Sequence, residues 1–130
     1  MRKVIFDVNF LFAQFQFKID VFGEIESLIG HFEPMVLSTT LEEIKKLLMK
    51  KSGKIRRQAA LALELTRRCK LIEAELKPNE SFDDVILRVA KENNCIVATN
   101  DRRLRKKLRE IGIPTIFIRQ KSYLQIEGYA

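Results

Sequence analysis

The sequence predicts an α/β fold, a parallel sheet covered by helices on both faces. Three observations carry that expectation. Short apolar runs rich in β-branched residues recur along the chain. Stretches with apolar residues at helical spacing separate them. The length of 130 residues, with 46% of them apolar, fits one ordinary domain with a real core. No linker, low-complexity tract or internal repeat interrupts it, so residues 1–130 read as a single domain.

In chain order, Val4-Ile5-Phe6 is a buried-strand run ending at Asp7. The aromatic residues Phe10, Phe12, Phe15 and Phe17 follow. They read either as core or an apolar dimer face, or as a platform for stacked bases. Asp20 is placed to cap a helix with apolar positions Val21, Phe22, Ile25, Leu28 and Ile29, stopped by Gly30. Pro34 introduces a second strand, Met35-Val36-Leu37-Ser38, and a helix follows from Thr40 with Leu41, Ile44, Leu47 and Leu48 inward.

Lys50 to Lys54, around Ser52-Gly53, reads as a basic loop, and Ile55 to about Cys69 as a helix. A short strand at Leu71-Ile72 precedes a loop with Pro78 and Asn79. Ser81 opens a helix that buries Phe82, Val85, Ile86, Val89 and Ala90. Cys95-Ile96-Val97-Ala98-Thr99 is the clearest strand, and Arg102 to Ile111 the clearest helix, closed by Gly112 and Pro114. Thr115-Ile116-Phe117-Ile118 is the last strand expected.

Charge is segregated as well as unbalanced. The net charge is +7, from 24 basic and 17 acidic residues. Residues 45–70 hold ten Lys and Arg against one acid, Glu64, and Arg102 to Arg109 adds six with no acid. Such clusters suit a polyanion, whose counterions are released as Lys and Arg replace them. The plainer alternative is a solubilising helix surface. Lys50, Lys51, Lys54, Arg56, Arg57, Arg102, Arg103, Arg105 and Lys106 are the candidate nucleic-acid contacts. No apolar run reaches the ~20 residues needed to span a bilayer, and no secretory leader is evident. With two cysteines, Cys69 and Cys95, a disulfide framework is not expected. A cytoplasmic protein with reduced thiols and no membrane partner is the expectation.

In open parallel sheets, sites form beyond the carboxyl ends of the strands. Asp7 ends the first strand and Asp101 lies just past the strand at 96–99. Glu43 and Asp83 fall in the first turns of the helices expected from Thr40 and Ser81. Four acids gathered without a counter-ion would repel one another and resist ionisation. A divalent cation resolves the conflict, and oxygen-only donors point to Mg²⁺ or Mn²⁺ rather than Zn²⁺. The lone histidine, His31, lies apart and reads as a surface residue, which leaves a Ser/His/Asp system unsupported. An acidic metal pocket beside basic surface suits phosphodiester hydrolysis.

Structural alternatives exist for these acids. Thr40-Leu41-Glu42-Glu43 matches a capping box, as does Thr39 with Glu42. Ser81-Phe82-Asp83-Asp84 would make Asp84 a capping acid, and Asp101 is placed to cap the basic helix. Asp7 is the acid for which capping offers no ready explanation.

These segments resemble the motifs of PIN-domain ribonucleases. Val4-Ile5-Phe6-Asp7-Val8-Asn9 looks like the family's opening strand with its Asp-x-Asn, although Val8 stands where Thr or Ser is common. Thr40 to Leu47, with Glu43 before an apolar residue, is similar to the second motif. Phe82-Asp83-Asp84-Val85 and Ile96 to Asp101 resemble the third and fourth. Within the family, the chain looks most like the eukaryotic nuclease that processes small-subunit ribosomal RNA, in a compact form suited to an archaeal relative.

The resemblance implies a three-layer α/β/α fold and an endoribonuclease dependent on Mg²⁺ or Mn²⁺. It assigns Asp7, Glu43, Asp83 and Asp101 to catalysis and metal binding, with Asp84 as an auxiliary metal acid. Asn9 and Thr99 match positions that hydrogen-bond and orient the carboxylates. RNA, for instance a ribosomal precursor, is the implied partner, and a homodimer is expected. Two further readings fit the same residues: a toxin-type ribonuclease held by an antitoxin, and a non-catalytic RNA-binding module. A phosphotransferase with a nucleophilic aspartate fits less well, because Asn9 stands where a second aspartate is wanted.

Overall fold

A computed structural model describes residues 1–50 and 53–128. Lys51, one of the expected RNA contacts, and Ser52 lie outside the described residues. Among the described residues the strands are β1 (Arg2–Phe6), β2 (Phe32–Leu37), β3 (Lys70–Ile72), β4 (Ile96–Ala98), β5 (Thr115–Arg119) and β6 (Tyr123–Glu127). The helices are α1 (Val8–Phe17), α2 (Val21–Ile29), α3 (Ser38–Leu48), α4 (Gly53–Thr66), α5 (Phe82–Asn93) and α6 (Arg102–Glu110). They form one six-stranded sheet in the order β3-β2-β1-β4-β5-β6, parallel except for the β5–β6 hairpin.

Strand alternation explains the layers. Along β1, Val4 and Phe6 point to one face and Ile5 to the other, all fully buried. The first face joins Ile96, Ala98 and Ile116 to Phe10, Leu11, Val21, Ile25, Ile44, Ala59 and Ala62, so α1 to α4 cover it. On the second face, Val97 and Leu37 pack against Val85, Ile86 and Val89 of α5 and Leu104 and Leu108 of α6. Burial on both faces is why these strands read as unbroken apolar runs.

Several boundaries differ from expectation. The aromatic stretch after Asp7 is a helix, α1, with Phe10 buried and Phe12 and Phe17 packed against the core. The core reading of that stretch therefore holds for these three residues. Ser38 belongs to α3 rather than β2, and Gly53 to α4 rather than a loop. Pro34 lies inside β2, paired with Val4, and the ladder to β3 begins only at Met35. At Pro34 the strand is locally an edge, where a missing N–H is tolerated. Finally, β6 is a strand the apolar runs did not announce.

The order of the strands reverses between β1 and β4. The chain builds outward through β2 and β3, then returns to lay β4 on the other side of β1. That switch point is where the carboxyl ends of an open α/β sheet form a crevice.

Candidate active site

Asp7 sits at the switch point with no loop between strand and helix. Its amide still donates to the Ala98 carbonyl of β4 (3.0 Å), while its Oδ1 accepts from Val8 N (2.8 Å) to cap α1. Capping, which the sequence did not suggest for this residue, is thus part of its role. Oδ2 accepts from Thr99 Oγ1 (2.7 Å) and from Asn9 Nδ2 (3.0 Å). Asn9 and Thr99, the two residues expected to orient the carboxylates, thus both donate to Asp7.

The same two residues tie in the next segment. Asn9 Oδ1 accepts from Asn100 N (3.0 Å), and Thr99 Oγ1 accepts from Asp101 N (3.1 Å). Asn100 in turn accepts at Oδ1 from Ile118 N of β5 (2.9 Å). This residue, which sequence reasoning passed over, braces the ends of β4 and β5 together. Its only signal was its place between Thr99 and Asp101. Asp101 caps α6, its Oδ1 accepting from Arg103 N (2.9 Å) and Leu104 N (3.2 Å).

Glu43 lies in the second turn of α3, not the first, because the helix begins at Ser38. The N-cap is Leu37, with no side-chain cap bond, so neither capping box considered for this helix forms. Glu43 is therefore free to serve the site. One turn earlier on the same helix, Thr40 buries a hydroxyl that has no partner among the described residues. A buried polar atom left unsatisfied costs stability and calls for an explanation. At the start of α5 the capping box does form. Ser81 Oγ accepts from Asp84 N, and Asp84 Oδ2 accepts from Ser81 N (2.9 Å). These bonds hold the Asp84 carboxyl below the usual range and leave Asp83 as the acid directed to the cluster.

Burial first, and mutual repulsion second, raises three of these acids. Burial pushes Asp7 up to about 6, against the pull of its Thr99 and Val8 donors, with the charges of Asp83 and Asp101 adding to the rise. Burial also pushes Glu43 to about 7, reinforced by Asp7 and Asp83 and opposed by Lys46. Asp83 is raised by burial and then by Asp101, with Lys107 and Arg103 opposing. Among the described residues no three carboxylates stand at the spacing that would ligate one ion directly. The donor chemistry fits a hard divalent cation nonetheless. Mg²⁺ typically keeps several waters and takes only one or two carboxylates directly.

The cations divide into three sets. Arg103 and Lys107 of α6 lie near Asp83, and Lys46 stands over the Phe82 ring (5.6 Å) at the start of α5. Arg105 faces away, stacked on Phe117 (3.5 Å to the ring centre) and close to Glu127 (3.4 Å). Lys50, Lys54, Arg56 and Arg57 are exposed at and beyond the far end of α3. Leu48 ends that helix five residues past Glu43, about 8 Å of helical rise. His31 is exposed and lies 3.9 Å from Glu26, remote from the acids. Both cysteines are free.

A family model described as a PIN like domain matches residues 4–121. The chain belongs to that family. This PIN domain is 40% identical over 98% of its length to ribonuclease VapC4 of Methanocaldococcus jannaschii, covering 98% of that protein. It is 30% identical to the rRNA-processing protein FCF1 of Saccharomyces cerevisiae, over 94% of this chain and 62% of that protein. Among solved structures, that of the PIN domain endonuclease Utp24 matches with a TM-score of 0.80 at 26% identity, covering 98% of this chain and 92% of that one. Among the described residues, no helix is long and apolar enough to cross a membrane.

Proposed function

We propose that this PIN domain is an endoribonuclease that uses Mg²⁺ or Mn²⁺, held by Asp7, Glu43, Asp83 and Asp101, to hydrolyse RNA phosphodiester bonds. The observation that carries the reading is the fixed placement of Asp7 at the switch point with Glu43, Asp83 and Asp101 around it, Asp7 and Glu43 being raised to about 6 and 7 by burial first and by acidic neighbours second. A bound divalent ion would supply charge neutralisation, a more acidic water and stabilisation of the leaving oxygen. The chain's own residues set the geometry. Asp7 is fixed by Asn9, Thr99 and the α1 cap, and Asn100 holds the β4 end against β5. Asp84 is assigned to its capping box rather than to the ion.

RNA is the partner proposed, met by the exposed basic residues of α6. The rRNA-processing proteins among the relatives, and the fit to the Utp24 endonuclease, favour a place in ribosomal RNA maturation. Full-length similarity to VapC4 supports a second reading, a toxin-type ribonuclease with a protein antitoxin. The test is cleavage of labelled RNA by wild type and Asp7→Asn, with chelator, Mg²⁺ or Mn²⁺. Metal-dependent cleavage by the wild type and a loss on the order of 10³-fold in the variant are expected. Cleavage that persists in the variant under chelation refutes the mechanism.

A further inference from the structure

We infer that the groove between α6 and the β5–β6 turn holds the phosphate backbone of a single-stranded RNA running off the carboxylate site. The inference rests on the ribonuclease reading for the identity of the strand, and on the groove for its path.

The groove has a volume of about 780 Å³ and adjoins the site through Asn100. That residue lines the groove while its amide donates to Asn9, the partner of Asp7. Six cations line it: Arg102, Arg105, Lys106 and Arg109 from α6, and Arg119 and Lys121 from the opposite wall. Among the described residues, no carboxylate side chain lines it. Glu127 engages Arg105 and Arg109, and Phe117 supports the Arg105 guanidinium. The other four are exposed and form no ion pair among the described residues. Arg119 is steadied instead by a neutral acceptor, Gln125 Oε1 (3.2 Å). Its charge stays available to a ligand.

The turn itself points the same way. Gln120 and Lys121 have φ of 52° and 57°, and Ser122 N donates to Arg119 O (3.1 Å). Two successive positive φ values mark a type I′ turn, which favours Asn-Gly. Gln and Lys are poor residues for that backbone, yet both side chains line the groove. Local strain held at such a position fits side chains retained for a ligand.

The rival track is the basic start of α4. Lys54, Arg56 and Arg57 are exposed there along one helix. Cations on two facing walls can meet one flexible strand together, whereas a convex helix offers a single row. The electrostatics therefore favour the α6 side.

The experiment measures binding of a fluorescein-labelled single-stranded RNA to the full chain with chelator present, so that affinity is read without cleavage. The double variant Arg119→Glu/Lys121→Glu is expected to bind at least about tenfold more weakly, with a salt slope shallower by about 1.4, two contacts at ~0.7 each. The control pair Lys54→Glu/Arg57→Glu is expected to lose less than about threefold. A third variant, Gln120→Asn/Lys121→Gly, supplies the residues the turn favours. It is expected to melt at a higher temperature yet bind more weakly, which separates lost contact from lost fold.

Wild-type affinity and salt slope in either turn variant overturn the proposal. So does a larger loss in the α4 pair, or no RNA binding by the wild type. If the turn variants lose binding and no divalent ion elicits cleavage, the groove stands and the ribonuclease reading falls. If the turn variants bind and cut like wild type, the groove falls and the ribonuclease reading stands.

Discussion

Glu127 on β6 and Glu43 on α3 are both only partly exposed, yet their surroundings treat them in opposite ways. Arg109 donates to Glu127 at 2.9 Å, Arg105 approaches at 3.4 Å, and the carboxyl is held below its usual range. Glu43 lies deeper and faces Asp7 and Asp83, with only Lys46 to offset them, and it is pushed up to about 7. A chain of net charge +7 has cations enough for every acid. The carboxylates at the switch point are crowded because the fold places them there, not because partners are scarce. Unneutralised acids in a basic protein are thus a stronger mark of function than acids as such.

The largest test of that contrast makes the same charge change in both regions. Asp83→Asn is expected to cut cleavage on the order of 10³-fold while leaving stability unchanged or higher. Glu127→Gln is expected to cost about 1 kcal/mol of stability by stranding two arginines, with cleavage within about threefold of wild type. Urea unfolding and a single-turnover cleavage assay read the two effects. Equal loss of cleavage in both variants would break the comparison.

A second test is the pH dependence of stability without divalent ions. Asp7 titrates near 3.8 when unfolded and near 6 when folded. Between those values the native state holds more protons, so stability falls as pH rises. The shift corresponds to about 3 kcal/mol lost by pH 7, from Asp7 alone. Glu43, raised to about 7, carries the decline further toward neutrality. Chemical denaturation between pH 4 and 8 should show this decline in the wild type, a shallower one in Asp7→Asn, and recovery on adding Mn²⁺. Stability that rises over the same range would contradict the assigned environment.

The smallest effect sharpens the boundary of the acidic group. Asp84→Ala removes half of a capping box and is expected to cost about 0.5–1 kcal/mol with little change in cleavage. A fall in cleavage comparable to that of Asp83→Asn would return Asp84 to the metal-binding set.

Much of this arrangement was legible from particular residues. Asp20 and Gly30 bound α2 as their chemistry dictates, and the runs at Val4–Phe6 and Ile96–Ala98 are the two strands that flank the switch point. The helix α1 escaped notice because its aromatics cover more than one face and blur the helical period. The β5–β6 hairpin escaped because Gln120-Lys121 carries none of the Asn-Gly chemistry that announces such a turn. Glu43 was placed one turn too early, since nothing in Leu37-Ser38 marks where α3 begins. Asn100 and Thr40 matter through contacts, or the lack of them, made only after the chain is folded.

That Asp7 alone connects β1 to α1 has a mechanical consequence. Asp7 is at once the last rung of a ladder, the cap of a helix and a candidate ligand, so its carboxylate can travel only if the sheet travels. Glu43 and Asp83 ride on separate helices, and they can approach or retreat by changing rotamer. On the proposed reading the site is a vice with one jaw bolted to the bench, and any tightening around an ion would come from the α3 and α5 side.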